Sequence, residues 1–185
     1  MVTRAMLDCD GVISDFVAAM TTLAFQEGLT DSLPYSTPQQ EKWDFSFNTS
    51  KCWDILKSRH NFWMTLQPLV TEEEITAINE AIAKHDIYFV TTRPSTKGFS
   101  AETQTRLWLE SIGVNIPRKS HVIATRSGSK GKVCNALDLT VALDDYISNL
   151  ADLQANGVTA YALYQKYNAG WTPSVPTVAD FLALL

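Results

Sequence analysis

The sequence predicts an open α/β sheet of parallel strands flanked by helices, with a small helical lobe inserted after the first strand and helix. Three observations carry that reading. Short apolar runs alternate with amphipathic stretches. Four of five such runs stop at an Asp or a Thr. One region breaks the alternation with prolines and a cluster of aromatic residues.

The elements follow in chain order. Met6 and Leu7 lead into Asp8 and read as the end of a first buried strand. Residues 87–90 end at Thr91, 121–124 at Thr125 and 140–143 at Asp144, and 158–163 form a fifth run. Apolar runs this short fit parallel strands buried on both faces. Helices are expected between them. Thr71 and Glu74 form a capping box before Ile75, Ile78 and Ile82, which share one face. Residues 100–112 read as a helix that Gly113 stops. Residues 132–137, 147–155 and 178–184 are further helices, with Thr177 and Asp180 as a second capping box. The alternation is that of a Rossmann-like sheet, in which ligands sit at the carboxyl ends of the strands. Asp8, Thr91, Thr125 and Asp144 all stand there.

Residues 1–28 and 69–185 are assigned to this core and residues 29–68 to the helical lobe. The lobe holds seven of the 19 aromatic residues: Tyr35, Trp43, Phe45, Phe47, Trp53, Phe62 and Trp63. Most of them are expected to build the lobe's own small core. One or two facing the strand ends would stack on a flat ligand.

Composition bounds the function. The chain has 185 residues, 45% of them hydrophobic, enough for one packed core. A net charge of −5 disfavours binding to polymeric nucleic acid, yet is compatible with a small-molecule phosphate. No apolar run approaches the ~18 residues of a membrane helix, so no membrane partner is expected. The N-terminus lacks the apolar region of a secretory signal. Cys9, Cys52 and Cys134 are odd in number and widely spaced, which argues against disulfides and zinc knuckles and for a reduced, cytoplasmic protein.

Asp8-Cys9-Asp10-Gly11 carries the chemistry. Carboxylates at i and i+2 lie on one side of an extended chain, where they can share a divalent cation or divide nucleophile and acid roles. The calcium-loop pattern fails, because Val12 and Ile13 stand where ligands should come. The companions are Thr91-Thr92, Asp144-Asp145, and Lys130 with Lys132 nearby. Acid pairs suit Mg²⁺, while Lys and Thr suit phosphate oxygens. Gly128-Ser129-Lys130-Gly131-Lys132 is not a P-loop, since Arg126 and Val133 occupy two required positions.

In their order, Asp8-x-Asp10-Gly11-Val12, Thr91, Lys130 and Asp144-Asp145 resemble the motifs of the haloacid dehalogenase-like (HAD) phosphatase superfamily. Within it, the chain resembles the 5'(3')-deoxyribonucleotidases. That likeness rests on Leu7 through Phe16, on Phe62-Trp63 with Leu66-Gln67-Pro68-Leu69, on Thr92-Arg93-Pro94, and on Tyr167-Asn168. The resemblance implies a Mg²⁺-dependent hydrolase of nucleoside monophosphates with a HAD-like core and a cap. Asp8 would be the nucleophile and Asp10 the general acid and base. Mg²⁺ would be held by Asp8, the Asp10 main-chain carbonyl and the acidic pair, Asp145 before Asp144. Thr91 or Thr92 and Lys130, in preference to Lys132, would bind phosphate. Phe16, Trp43 and Phe62 stand where that family places aromatics around base and sugar. Tyr146 departs from the family's frequent Arg after the acidic pair. A phosphatase of sugar phosphates or other small metabolites is the alternative, and a non-catalytic nucleotide sensor is a weaker one. Oligomeric state stays open, a homodimer among the options.

Overall fold

In a computed structural model that describes residues 2–185, the strands are β1 (Arg4–Leu7), β2 (Asp86–Thr91), β3 (Val122–Ala124), β4 (Val141–Asp144), β5 (Thr159–Leu163) and β6 (Ser174–Val175). They form one sheet in the order β3-β2-β1-β4-β5-β6, and every pairing is parallel. The chain runs outward to one edge from β1 and to the other from β4, so the strand order switches between them. In sheets of this kind that switch point is the ligand crevice.

The helices are α1 (Phe16–Gln26), α2 (Thr49–Ser58), α3 (Glu72–Lys84), α4 (Ala101–Ser111), α5 (Lys130–Ala136), α6 (Ile147–Ala155) and α7 (Val178–Leu182). Strand alternation divides the core between the two faces of the sheet. Ala5, Leu7, Ile87 and Phe89 join α1, α3, α4 and α7 in one cluster. Met6, Tyr88, Val90, Ala142 and Ala160 pack on the other side with Cys134, Leu150 and Leu153 of α5 and α6. Period-two burial on both faces explains why the strands are apolar throughout.

The Thr71–Glu74 capping box forms as expected. Thr177 also caps its helix, accepting from the Asp180 N–H. The second half of that box does not form: the Asp180 carboxylate takes the Thr177 hydroxyl instead of a backbone N–H. An Asp is one methylene shorter than the Glu that normally reaches back. The two-residue β6 has no sequence counterpart in the prediction, being too short to show alternation. Helix α5 begins at Lys130 rather than at residue 132.

Residues 29–68 contain α2 and two short 3₁₀ turns, Thr37–Gln39 and Phe62–Met64. They do not enclose a core of their own. Cys52, Leu56, Phe62, Trp63 and Leu66 belong to the same buried cluster as Phe16, Met20 and Phe89. The end of the lobe returns beside the segment that precedes α1. Leu69 N–H donates to Ile13 (2.7 Å) and Asp15 N–H to Gln67 (2.8 Å). Asp15 caps α1 at Ala18 N–H and accepts from the Thr37 N–H and hydroxyl, at 3.0, 3.0 and 2.8 Å. One buried carboxylate therefore fixes the start of α1 and the first turn of the lobe together.

Candidate active site

Leu7 of β1 pairs with Leu143 of β4, so Asp8 and Asp144 leave the sheet side by side. Asp8, Asp144 and Asp145 are all buried, and one ligand oxygen of each lies within 4.8 Å of the others. A single cation enters this group. Lys130 Nζ lies 2.9 Å from Asp8 Oδ2 and 2.6 Å from Asp144 Oδ2. Three carboxylates thus share one ammonium in a place with little water.

The electrostatics follow from that imbalance. Burial, then Asp144, raises Asp8 well above the usual carboxylate range, against the pull of Lys130. Burial and Asp144 push Asp145 up to about 7, although Tyr167 and Lys130 oppose the shift. Burial works against the Lys130 charge, but Asp144 and Asp8 outweigh it and hold the ammonium above its ordinary value. Desolvation and like charges act together on the acids. A hard divalent cation bound through oxygen would supply the missing positive charge, so the donor set fits Mg²⁺. Asp144 already accepts from Tyr146 N–H (2.9 Å), Asn149 Nδ2 (3.2 Å) and Lys130. Among the described residues, the Asp145 carboxylate accepts only from the Tyr167 hydroxyl, while Asn168 Nδ2 donates to its main-chain oxygen at 2.8 Å.

Gly11 makes this close approach feasible. Its φ is +81°, and a Cβ there would overlap the Asp145 carboxylate. Gly131, which lends its segment the look of a phosphate loop, serves packing. A Cβ would strike the Asp152 main chain of α6, and the Gly131 N–H donates to Asp152 Oδ2 at 2.7 Å. Close contact of α5 and α6 holds Lys130 under the acids.

Asp10 does not join the carboxylate cluster. Arg93 takes both its oxygens, Nε to Oδ2 at 2.9 Å and Nη2 to Oδ1 at 2.7 Å. The Ser14 hydroxyl donates to Oδ1 at 2.8 Å and the Thr91 hydroxyl to Oδ2 at 3.3 Å. Thr91 is buried, whereas Thr92 is half-buried with its hydroxyl 3.3 Å from that of Thr125. Cys9 is fully buried, and burial pushes its thiol up to about 12, so it packs rather than reacts.

Part of this group lines a cavity of about 710 Å³, within the range of small-molecule sites. Asp8, Asp10, Thr91, Thr92 and Asp145 form its floor, and Phe16, Trp43, Trp53 and Tyr146 its aromatic wall. Phe16 stacks on Trp53 at 5.4 Å, and Trp43 lies 5.0 Å from Tyr146. Phe62 is not part of this wall. It stands edge-on to Trp63 at 5.2 Å and lines a separate cavity beside α1. Trp53 takes the place expected for it. Lys130 is also absent from the cavity lining; the buried acids draw its ammonium beneath Asp8, away from the open space. Lys132 is exposed on the outer face of α5. Sequence reasoning assigned no role to Arg93, Ser14, Trp53 or Tyr167. Ser14, Arg93 and Tyr167 lie within segments that carried the family resemblance, which was the one signal available for them.

No protein-family model and no curated protein matches the chain in sequence. Solved structures do match it in fold. A haloacid dehalogenase-like family hydrolase from Streptococcus pneumoniae aligns with a TM-score of 0.63 at 12% identity, over 99% of this chain and 98% of its own. A HAD family hydrolase from Deinococcus radiodurans R1, with bound phosphate and sodium, aligns at 0.58 and 14% identity, over 99% and 95%. An L-2-haloacid dehalogenase aligns at 0.55 and 10% identity, over 100% and 99%. The chain therefore has the fold of the haloacid dehalogenase-like hydrolases over its whole length.

Proposed function

We propose that this protein is a Mg²⁺-dependent phosphomonoesterase that hydrolyses nucleoside monophosphates, deoxyribonucleotides first, through an aspartyl-phosphate. The observation that carries the reading is the placement of Asp8, backed by Lys130, on the floor of a cavity whose wall is aromatic. A similarly folded hydrolase with bound phosphate supports it.

Asp8 attacks phosphorus through one carboxylate oxygen. The bond to the ester oxygen breaks, and Asp10 gives that oxygen its proton. Water then attacks the phosphorus of the aspartyl-phosphate while Asp10 takes up its proton, freeing Asp8 and inorganic phosphate. Dividing one displacement into two steps is the gain of covalent catalysis. Bound at Asp8, Asp145, Asp144 and the Asp10 carbonyl, Mg²⁺ would neutralise the repulsion between Asp8 and the phosphate. Thr91 and Thr92 offer hydroxyls to the phosphoryl oxygens, and Lys130 orients Asp8 from beneath. The base lies against Trp43, Trp53, Phe16 and Tyr146.

Phosphate release from ribo- and deoxyribonucleoside 5'- and 3'-monophosphates and from sugar phosphates, with and without Mg²⁺, tests the reading. Mg²⁺-dependent release that favours nucleotides is the expected result. Release from sugar phosphates alone would keep the catalytic roles and remove the base from the aromatic wall. Trp53→Ala should weaken nucleotide turnover by roughly 10-fold or more, on the ~1–3 kcal/mol scale of base stacking. Turnover of a small phosphate ester should change little; equal losses would count against stacking.

A further inference from the structure

Arg93 follows the catalytic strand β2, but its side chain turns into the protein. The guanidinium is fully buried. It lies over Trp63 (4.9 Å) and beside Trp108 (5.9 Å). Both indoles are themselves fixed, Trp63 Nε1 donating to Pro94 at 2.9 Å and Trp108 Nε1 to Leu66 at 2.8 Å. Along its edges, Nη1 donates to Thr105 Oγ1 (2.9 Å) and Nη2 to Ser14 Oγ (3.0 Å), besides the two bonds to Asp10. Arg93 borders the cavity, but its side chain has no exposed surface, so the guanidinium does not itself face a substrate. It can only act through Asp10, whose side chain remains 16% exposed at the cavity wall.

We propose that Arg93 is the positioning residue of the general acid: its fork fixes the Asp10 carboxyl at the place where the leaving-group proton is delivered. The proposal rests on the phosphomonoesterase reading. As the phosphorus–oxygen bond breaks, the proton passes from Asp10 to the ester oxygen and a carboxylate remains. A bidentate fork with the Ser14 hydroxyl at Oδ1 matches that carboxylate in charge and shape, while the Thr91 hydroxyl, in turning to the phosphoryl oxygens, leaves Oδ2 the lone pair that carries the proton. The match grows as the proton leaves, so it favours the transition state over the ground state. Arg rather than Lys is required, because only the planar fork sets the orientation of both oxygens.

The test compares two esters by kcat/KM, which reports the steps up to the aspartyl-phosphate. A nucleoside 5'-monophosphate must have its alkoxide protonated; 4-nitrophenyl phosphate leaves as a stable phenolate and needs no proton. Arg93→Lys should lower kcat/KM for the nucleotide by roughly 10²-fold or more, the scale of a displaced general acid, and for the aryl ester by less than about 3-fold. Thr105→Val, which frees one edge of the guanidinium while preserving shape, should show the same selectivity with a smaller loss, and it carries the test if Arg93→Lys does not fold. Equal losses on both esters would overturn the proposal and make Arg93 a structural ion-pair partner. A wild-type protein that hydrolyses neither ester would remove the phosphomonoesterase reading, and the proposal with it.

Discussion

The two ends of the sheet treat charge in opposite ways. At the carboxyl end, one ammonium pairs with Asp8 and Asp144 while Asp145 crowds the same two acids, and all four groups are buried. At the amino end, Arg4 bonds Asp86 Oδ2 (3.0 Å) and the Tyr88 hydroxyl (3.0 Å), and His121 Nε2 lies 2.8 Å from Asp86 Oδ1. There the Arg4 and Asp86 side chains are about a third exposed, at 35% and 32%. The first cluster carries an excess of negative charge, which raises the proton affinity of Asp8 and Asp145 and which a bound cation would relieve. The second is paired and partly solvated, and contributes modestly to stability. Comparable residue types are thus crowded and short of positive charge at one end and matched in charge at the other, and a buried excess of like charge is what marks a candidate site.

The strongest way to sharpen this contrast is Asp8→Asn. Phosphatase turnover should be lost outright, while the fold persists. Removing one of three crowded acids should leave the melting temperature without divalent cation unchanged or higher by a few degrees, where ~1 kcal/mol corresponds to ~2–4 °C at this size. A melting temperature that falls sharply would contradict the imbalance. Lys130→Met comes next. It leaves the acids with no counter-charge and should cost ~3–5 kcal/mol, measured by urea unfolding without metal. Added Mg²⁺ should restore part of that loss, and no effect of either kind would break the comparison from the carboxyl end.

Arg4→Met probes the other end and should cost ~1 kcal/mol or less, with kcat unchanged, as for partly exposed pairs. A loss as large as that of Lys130→Met would erase the contrast. The smallest effect is in pH. Burial raises the Asp86 carboxyl, but the hydrogen bonds from His121 and Arg4 outweigh this and hold it below its ordinary value. A carboxylate depressed in the folded state stabilises above its unfolded pKa of ~3.9 and loses that contribution as pH falls through the lower folded value. Wild type should therefore exceed Asp86→Asn in melting temperature at pH 6, and the gap should close in acid as pH falls through the depressed folded value.

Much of the fold was legible from strand ends. The runs before Asp8, Thr91 and Asp144 became β1, β2 and β4, because a doubly buried strand is apolar throughout and must stop where polar groups begin. The two-residue β6 left no such mark. Within the site, the proximity of Asp8, Asp144 and Asp145 followed from their common place at adjacent strand ends. The partner of Asp10 did not follow. Arg93 lies 83 positions away, and its direction depends on how α4 packs against residues 62–66, through Trp63 and Trp108. Phe62 shows the same limit. Phe62 and Trp53 are both aromatic residues of one short lobe, and only the docking of α2 and the following turn onto α1 and α4 sends one into the buried cluster beside Trp63 and the other to the cavity.

The sequence by itself determined the parallel α/β architecture, the inserted segment and the acidic strand ends, because periodicity and strand termination are local properties of the chain. Tertiary structure alone decided that Lys130 lies beneath Asp8, that Arg93 holds Asp10, and that Trp53 rather than Phe62 faces the cavity. Each of those depends on the relative position of elements far apart in sequence. Long-range packing and the electrostatics of burial set that position, and neither leaves a periodic trace in the order of residues.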